Sequence, residues 1–213
     1  MIEELEAIKA FAQDAISDWN WSHDWDHTLR VYNLAMHIAK VEWADLDVIA
    51  AASLLHDVSR HVQDKSKWKI CHAEHWSVVA KAYLEVLWLD ENFIAKVVSA
   101  IRTHRFRGNN IPDTLESKII YDADKLDSIW AVGIARSFHF AWDHKAKLHD
   151  INPNLSKEAE YTQDDTAYRE FHVRLKYIKD KLFTQEARNI AKKRHDFMIE
   201  FFDRFNEEFL WNI

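Results

Sequence analysis

Histidine and aspartate side chains meet apolar surroundings at three places in this 213-residue chain. His56-Asp57 closes the run Val48-Ile-Ala-Ala-Ala-Ser-Leu-Leu55. His27 stands three residues before Arg30 in Asp24-Trp-Asp-His-Thr-Leu-Arg-Val31. Asp124-Lys125, with Asp127 a helical turn on, interrupts the apolar stretch from Ile119 to Ile129. His-Asp pairs also occur at 23–24, 149–150 and 195–196, all in polar settings, so the dipeptide alone distinguishes nothing. The setting of His56-Asp57 does. A carboxylate and an imidazole at the end of an apolar segment are costly to bury unless each is paired or bound to a cation. A metal ion answers that need, and so does a hydrogen-bonded Asp-His pair at a helix end; the dipeptide does not choose between them. His27 and Arg30 share a helix face. Such a face can aim an imidazole at a metal and a guanidinium at an anion, or form a partly exposed polar edge. Ile119, Ile120, Leu126 and Ile129 argue against full exposure of the acidic residues between them.

The elements that must position these groups read as helices. Only two Gly and two Pro occur, few of the residues that hairpins and tight turns use most. Leu5, Ile8, Phe11, Ala12 and Ala15 follow the three-and-four spacing of an amphipathic helix, and Val31, Leu34, Ala35 and Ile38 repeat it from a start near Asp24 or Asp26. Asp45 is placed to cap a helix that delivers His56-Asp57 at its C-terminal end. Further helices are expected over about 73–88, 91–104, 114–141, 160–182 and 184–209, with Asp113 and Glu116 as a capping box for the long one. The long loops are expected at 105–112 and 142–157. No internal repeat or composition break divides the chain, so the expectation is all-α: one compact helical domain over 1–213.

Composition bounds the function. Hydrophobic residues at 48% and charged residues at 30% point to neither disorder nor a membrane protein. A net charge of −7 disfavours nucleic acid polymers and anionic membranes while leaving room for a small basic phosphate pocket. Cys71 is the single cysteine, which leaves no intrachain disulfide and no Cys-based zinc site and fits a reducing cytoplasm. The N-terminal segment is acidic and amphipathic, unlike an export signal.

The ordered set His27, His56-Asp57, Asp124 resembles the H…HD…D signature of the HD-domain phosphohydrolase superfamily. Asp24-x-x-His27-x-x-Arg30-Val31, Ala123-Asp124-Lys125-Leu126-Asp127, Gly133-x-x-Arg136 and Thr184-x-x-Ala187-Arg188 resemble its bacterial stand-alone hydrolases, so the likeness spans about residues 20–210. The resemblance implies an all-α HD-type helical bundle in which His27, His56, Asp57 and Asp124 ligate a divalent metal. Two nitrogens and two carboxylates suit Mn, Fe, Co, Ni or Zn better than Ca, and Mg completes the candidates. The metal would polarise a phosphoryl oxygen and activate a water to attack phosphorus. The implied substrate is a small phosphorylated metabolite, a nucleotide by family analogy, with nucleoside triphosphate pyrophosphohydrolysis as one case.

Arg30, Arg60, Lys125, Arg105 and Arg107 are the candidates for phosphate charge. His104 falls where relatives place an additional active-site His. Two departures matter. Arg60, four residues after His56, stands where guanosine-tetraphosphate hydrolases have an acidic residue, so proton handling would fall to metal-bound hydroxide itself, assisted by Asp57, Asp127 or a histidine such as His61, with His104 a further catalytic candidate. Trp130 stands where the subfamily commonly has Gly. Two rival readings remain: a di-iron oxygenase, for which His72, His75 and His104 would supply extra ligands, and a non-catalytic ligand-binding module of the same fold.

Overall fold

The computed structural model describes residues 2–16, 24–58, 72–105 and 110–211, and among these every regular element is helical. In chain order they are α1 (Ile2–Ile16), α2 (Trp25–Glu42), α3 (Leu46–Leu55), α4 (His72–Val86), α5 (Glu91–Thr103), α6 (Leu115–Asp127) and α7 (Ala131–Asp143). They continue with α8 (Ala167–Val173) and α9 (Gln185–Phe209), and two short 3-10 turns, Lys157–Ala159 and Leu175–Asp180, flank α8. Among the described residues no helix is long and apolar enough to cross a membrane.

Short acidic side chains start the helices that matter. Asp24 accepts the amide of His27 at 2.8 Å and opens α2, Asp45 accepts that of Val48 at 3.3 Å and opens α3, and Asp90 accepts those of Asn92 and Phe93 and opens α5. Each such cap contributes about 1 kcal/mol. At α6 the cap differs from the expected Asp113–Glu116 box. Thr114 Oγ1 accepts the amide of Ser117 at 3.1 Å, while the Glu116 carboxylate accepts the amide of Asp45 at 3.3 Å and ties α6 to the start of α3.

Two compact units emerge. The first comprises residues 1–124 with 183–187; the second, 125–182 with 188–213. In the first, α3 packs against α1, α2 and α5, and α4 packs on α5. Every residue of α3 from Val48 to Leu55 is buried, because its alanines admit neighbouring helices on all sides. Phe11 of α1 stacks on Tyr83 of α4 at 3.8 Å between centroids, and the Tyr83 hydroxyl donates to the Ala7 carbonyl at 3.0 Å.

In the second unit α7 packs against α8, and Phe138 meets the rings of Phe201 and Phe205 edge-on. Arg169 is fully buried, with Nη1 2.7 Å from Asp165 Oδ1 and its other nitrogens donating to the carbonyls of Asn154 and Ser156. That guanidinium fixes the loop preceding α8.

Two expected helices are broken. The segment 114–141 divides into α6 and α7, because the amides of Ser128 and Ile129 turn back to the carbonyls of Lys125 and Leu126 and Trp130 adopts φ 87°, ψ −160°. The region expected as a helix over 160–182 is helical only from Ala167 to Val173 and then a 3-10 turn. There Asp165 accepts the amide of Tyr161 and Thr166 caps Arg169, side-chain bonds that compete with a continuous helix.

Candidate metal centre

The helices α3 and α5 end at Leu55 and Thr103, and the residue after each is a histidine. Each ring donates from Nδ1 to the carbonyl three residues back: His56 to Ser53 at 2.8 Å, His104 to Ile101 at 2.6 Å. The last turn of a helix leaves carbonyls without intrahelical donors, so the imidazole satisfies one of them and is held in place by it. With the proton on Nδ1, each ring presents Nε2 as a lone pair. The two rings meet edge-on, 5.3 Å between centroids, so the C-termini of two helices converge at one point and bring their partial negative charge with them.

His27, in the first turn of α2, closes this group from another side. It is fully buried, and its ring lies 5.4 Å from that of His56. Its Nε2 lies 3.6 Å from Asp124 Oδ1 and 3.8 Å from Asp57 Oδ2. The other oxygen of Asp57 faces His104, 4.0 Å from its Nε2. Asp57 and Asp124 are themselves buried. All five side chains belong to the first unit.

The donor set fits a divalent cation. Ligand atoms of His27, His56 and Asp124 lie within 4.8 Å of one another; Asp57 stands outside that group, with Oδ2 3.8 Å from His27 Nε2. His56 Nε2 is buried with no hydrogen-bond partner among the described residues. An unsatisfied lone pair in the interior costs about 1–3 kcal/mol, which coordination to a cation would remove. Imidazole nitrogens with carboxylates suit a first-row transition ion. Burial, then the charges of Asp122 and Asp124, push the Tyr121 phenol up to about 12, so it stays protonated beside these carboxylates.

Of the residues expected to bind phosphate, Arg30 lies one turn beyond His27 on α2, Arg105 directly follows His104, and Lys125 directly follows Asp124; all three are partly buried. Arg60, His61, Arg107 and the side chain of His72 lie outside the described residues. His75 is exposed in the first turn of α4, and among the described residues the metal-capable group does not include it. Asp127 closes α6 in the second unit, where one carboxylate oxygen takes Arg136 Nη1 at 2.6 Å. Sequence reasoning did not find the Ser53 and Ile101 carbonyls that orient the two rings. The signal was available: each lies three residues before a histidine that ends an apolar helical run.

Residues 24–129 match the HD domain family. The chain is 31% identical to YpgQ of Bacillus subtilis (strain 168) over 207 residues, 94% of this chain and 91% of YpgQ. It superposes on the crystal structure of Bacillus subtilis YpgQ in complex with ADP with a TM-score of 0.75 at 27% identity, covering 97% of this chain and 95% of that one. An HD-superfamily hydrolase from Bacillus thuringiensis matches with a TM-score of 0.76 at 27% identity, over 99% and 97% of the two chains.

Proposed function

The chain belongs to the HD-domain family, and from that premise we propose that it is a metal-dependent phosphohydrolase whose substrate is a nucleotide. The observation that carries the reading is the convergence of His27, His56 and Asp124 in one buried cluster, with Asp57 against His27 and with a His56 nitrogen that has no partner among the described residues. The nucleotide is supported by the presence of ADP in the YpgQ crystal structure; cleavage of a nucleoside triphosphate to monophosphate and pyrophosphate is the finer form of the proposal.

His27, His56, Asp57 and Asp124 would hold the ion. A divalent metal bound there supplies Lewis acidity toward a phosphoryl oxygen and acidifies a coordinated water. The remaining work falls to the chain. His104 keeps its proton on Nδ1, so its Nε2 is placed to take the proton that an attacking water releases. The Asp57 oxygen 4.0 Å away would stabilise the imidazolium that results. Arg30, Arg105 and Lys125 are proposed to neutralise the phosphate chain, the arginines by bidentate bonds. Arg60 and Arg107 belong to the same proposal from sequence. Asp127 serves as a proton acceptor less well, since one of its oxygens is committed to Arg136.

The test is purified protein loaded in turn with each first-row divalent metal and with Mg, offered nucleoside mono-, di- and triphosphates and simple phosphate esters. Release of phosphate or pyrophosphate with at least one metal is expected, with H56A and D57A inactive and metal-poor. No release from any compound with any metal would overturn the proposal.

A further inference from the structure

We infer that Asp122 is a positioning residue for the metal centre, acting through residues 183–186; the inference rests on the reading of the buried cluster as a metal site. Asp122 sits on α6 two residues before Asp124 and is completely buried, a placement an ionised carboxylate sustains only when donors saturate its oxygens. They do. Oδ1 accepts the Phe183 amide at 2.9 Å, and Oδ2 accepts the Thr184 amide and the Thr184 hydroxyl, each at 2.7 Å, with the Phe183 amide also at 3.2 Å. The Phe183 ring packs edge-on against Tyr121, the neighbour of Asp122, at 5.1 Å.

The same short segment grips a second helix. The Glu186 amide donates to Glu42 Oε1 at 2.8 Å, and the Glu186 carboxylate pairs with His37 Nε2 at 2.9 Å. Glu42 and His37 lie on α2, whose first turn carries His27. Residues 183–186 therefore bridge α6, which carries Asp124, and α2, which carries His27, and these are the two helices whose donor atoms meet at 3.6 Å in the cluster.

Helix geometry turns the bridge into a positional control. Residues two apart on a helix point about 200° from one another, so Asp122 faces the bridge while Asp124 faces His27. With one side of α6 held by four bonds, the helix cannot roll, and the opposite side is held in register. Loss of those bonds frees a roll that swings Asp124 away from the imidazoles without touching any ligand.

Thr184→Val removes the hydroxyl with little change of shape, Thr184→Ser restores it, and Asp122→Asn removes the charge that the two amides and the hydroxyl address. Two readouts are needed: Mn affinity by water-proton relaxation, and amide hydrogen exchange of residues 119–124 in metal-free protein. Thr184→Val is expected to weaken Mn binding about tenfold, within the range for groups that support metal ligands, and to speed exchange at 119–124. Asp122→Asn should weaken Mn binding further, and Thr184→Ser should recover both readouts. Mn affinity equal to wild type in Thr184→Val and Asp122→Asn, even with a lowered Tm, overturns the inference. Wild-type protein that takes up no Mn or other divalent ion sinks the metal reading instead. In that case the metal-free exchange still decides whether the bridge holds α6, and equal exchange in wild type and Thr184→Val overturns it.

Discussion

Trp130 holds a backbone conformation that glycine adopts freely and other residues almost never: φ 87° with ψ −160°. Such a residue stores about 1–3 kcal/mol of strain, which a glycine at the position would not carry. The ring recovers part of that cost edge-on against Phe197 and beneath the Arg194 guanidinium, 5.2 Å from its centroid. Substitution by Ala removes the ring and keeps the strain; substitution by Gly removes both. Trp130→Gly should therefore be more stable than Trp130→Ala by about 1–2 kcal/mol in urea titration, the reverse of the order inside a helix, and equal stabilities would refute the strain. Glu170 stores a second kind of cost. Burial, opposed first by Arg174, pushes its carboxyl from 4.5 up to about 7. The folded protein thus keeps a proton that the unfolded chain releases near 4.5, and stability falls as pH rises from there to about 7, by on the order of 3 kcal/mol at most. Glu170→Gln should raise the Tm relative to wild type at pH 8 and not at pH 4; a gain independent of pH would count against this assignment.

At the scale of elements, the junction of α6 and α7 depends on Gly133. A Cβ there would stand 2.3 Å from the Ser128 carbonyl oxygen and 2.4 Å from its carbon, both backbone atoms with no flexible end to give way. Gly133→Ala is expected to cost at least about 2 kcal/mol, measured as a shift in urea midpoint, and a neutral result would mean the junction is looser than drawn. This junction also marks where reading the sequence failed. A Trp is no helix breaker, so the periodic pattern over 114–141 carried no sign of the turn at Ser128–Trp130. The same chain closes α2 with Trp43 at φ 60° and follows α4 with Trp88 at φ 56°, so tryptophan stands at helix ends where glycine is the usual residue. Where local chemistry sets an element, the sequence was legible: Asp24 and Asp45 open their helices, and the apolar run ending in His56-Asp57 sits where its pattern requires. The cluster was legible through the resemblance to the H…HD…D signature, which named His27, His56, Asp57 and Asp124 together; local pattern singled out only the apolar settings of His56-Asp57 and Asp124. Asp122 was not, because its partners lie 61 and 62 residues away and nothing nearby in sequence announces them.

For the molecule as a whole, a bound ion and the folding equilibrium are linked. A metal that binds only the folded chain adds about 2.7 kcal/mol when present at a hundred times its Kd. Mn should therefore raise the Tm, EDTA should reverse the rise, and H56A should show neither effect; a Tm indifferent to both would mean that no ion is held. The division of the chain has a further consequence, in time. Every side chain of the cluster precedes residue 125, yet the segment that grips Asp122 follows it by 61 residues. At the roughly 5–20 residues per second of protein synthesis, a ribosome needs several more seconds after Asp124 to deliver Phe183 and Thr184. During that interval the nascent first unit holds all five cluster residues with an acidic residue in α6 still lacking the amides and hydroxyl of Phe183 and Thr184, so this unit matures only after a segment distant in sequence has been made.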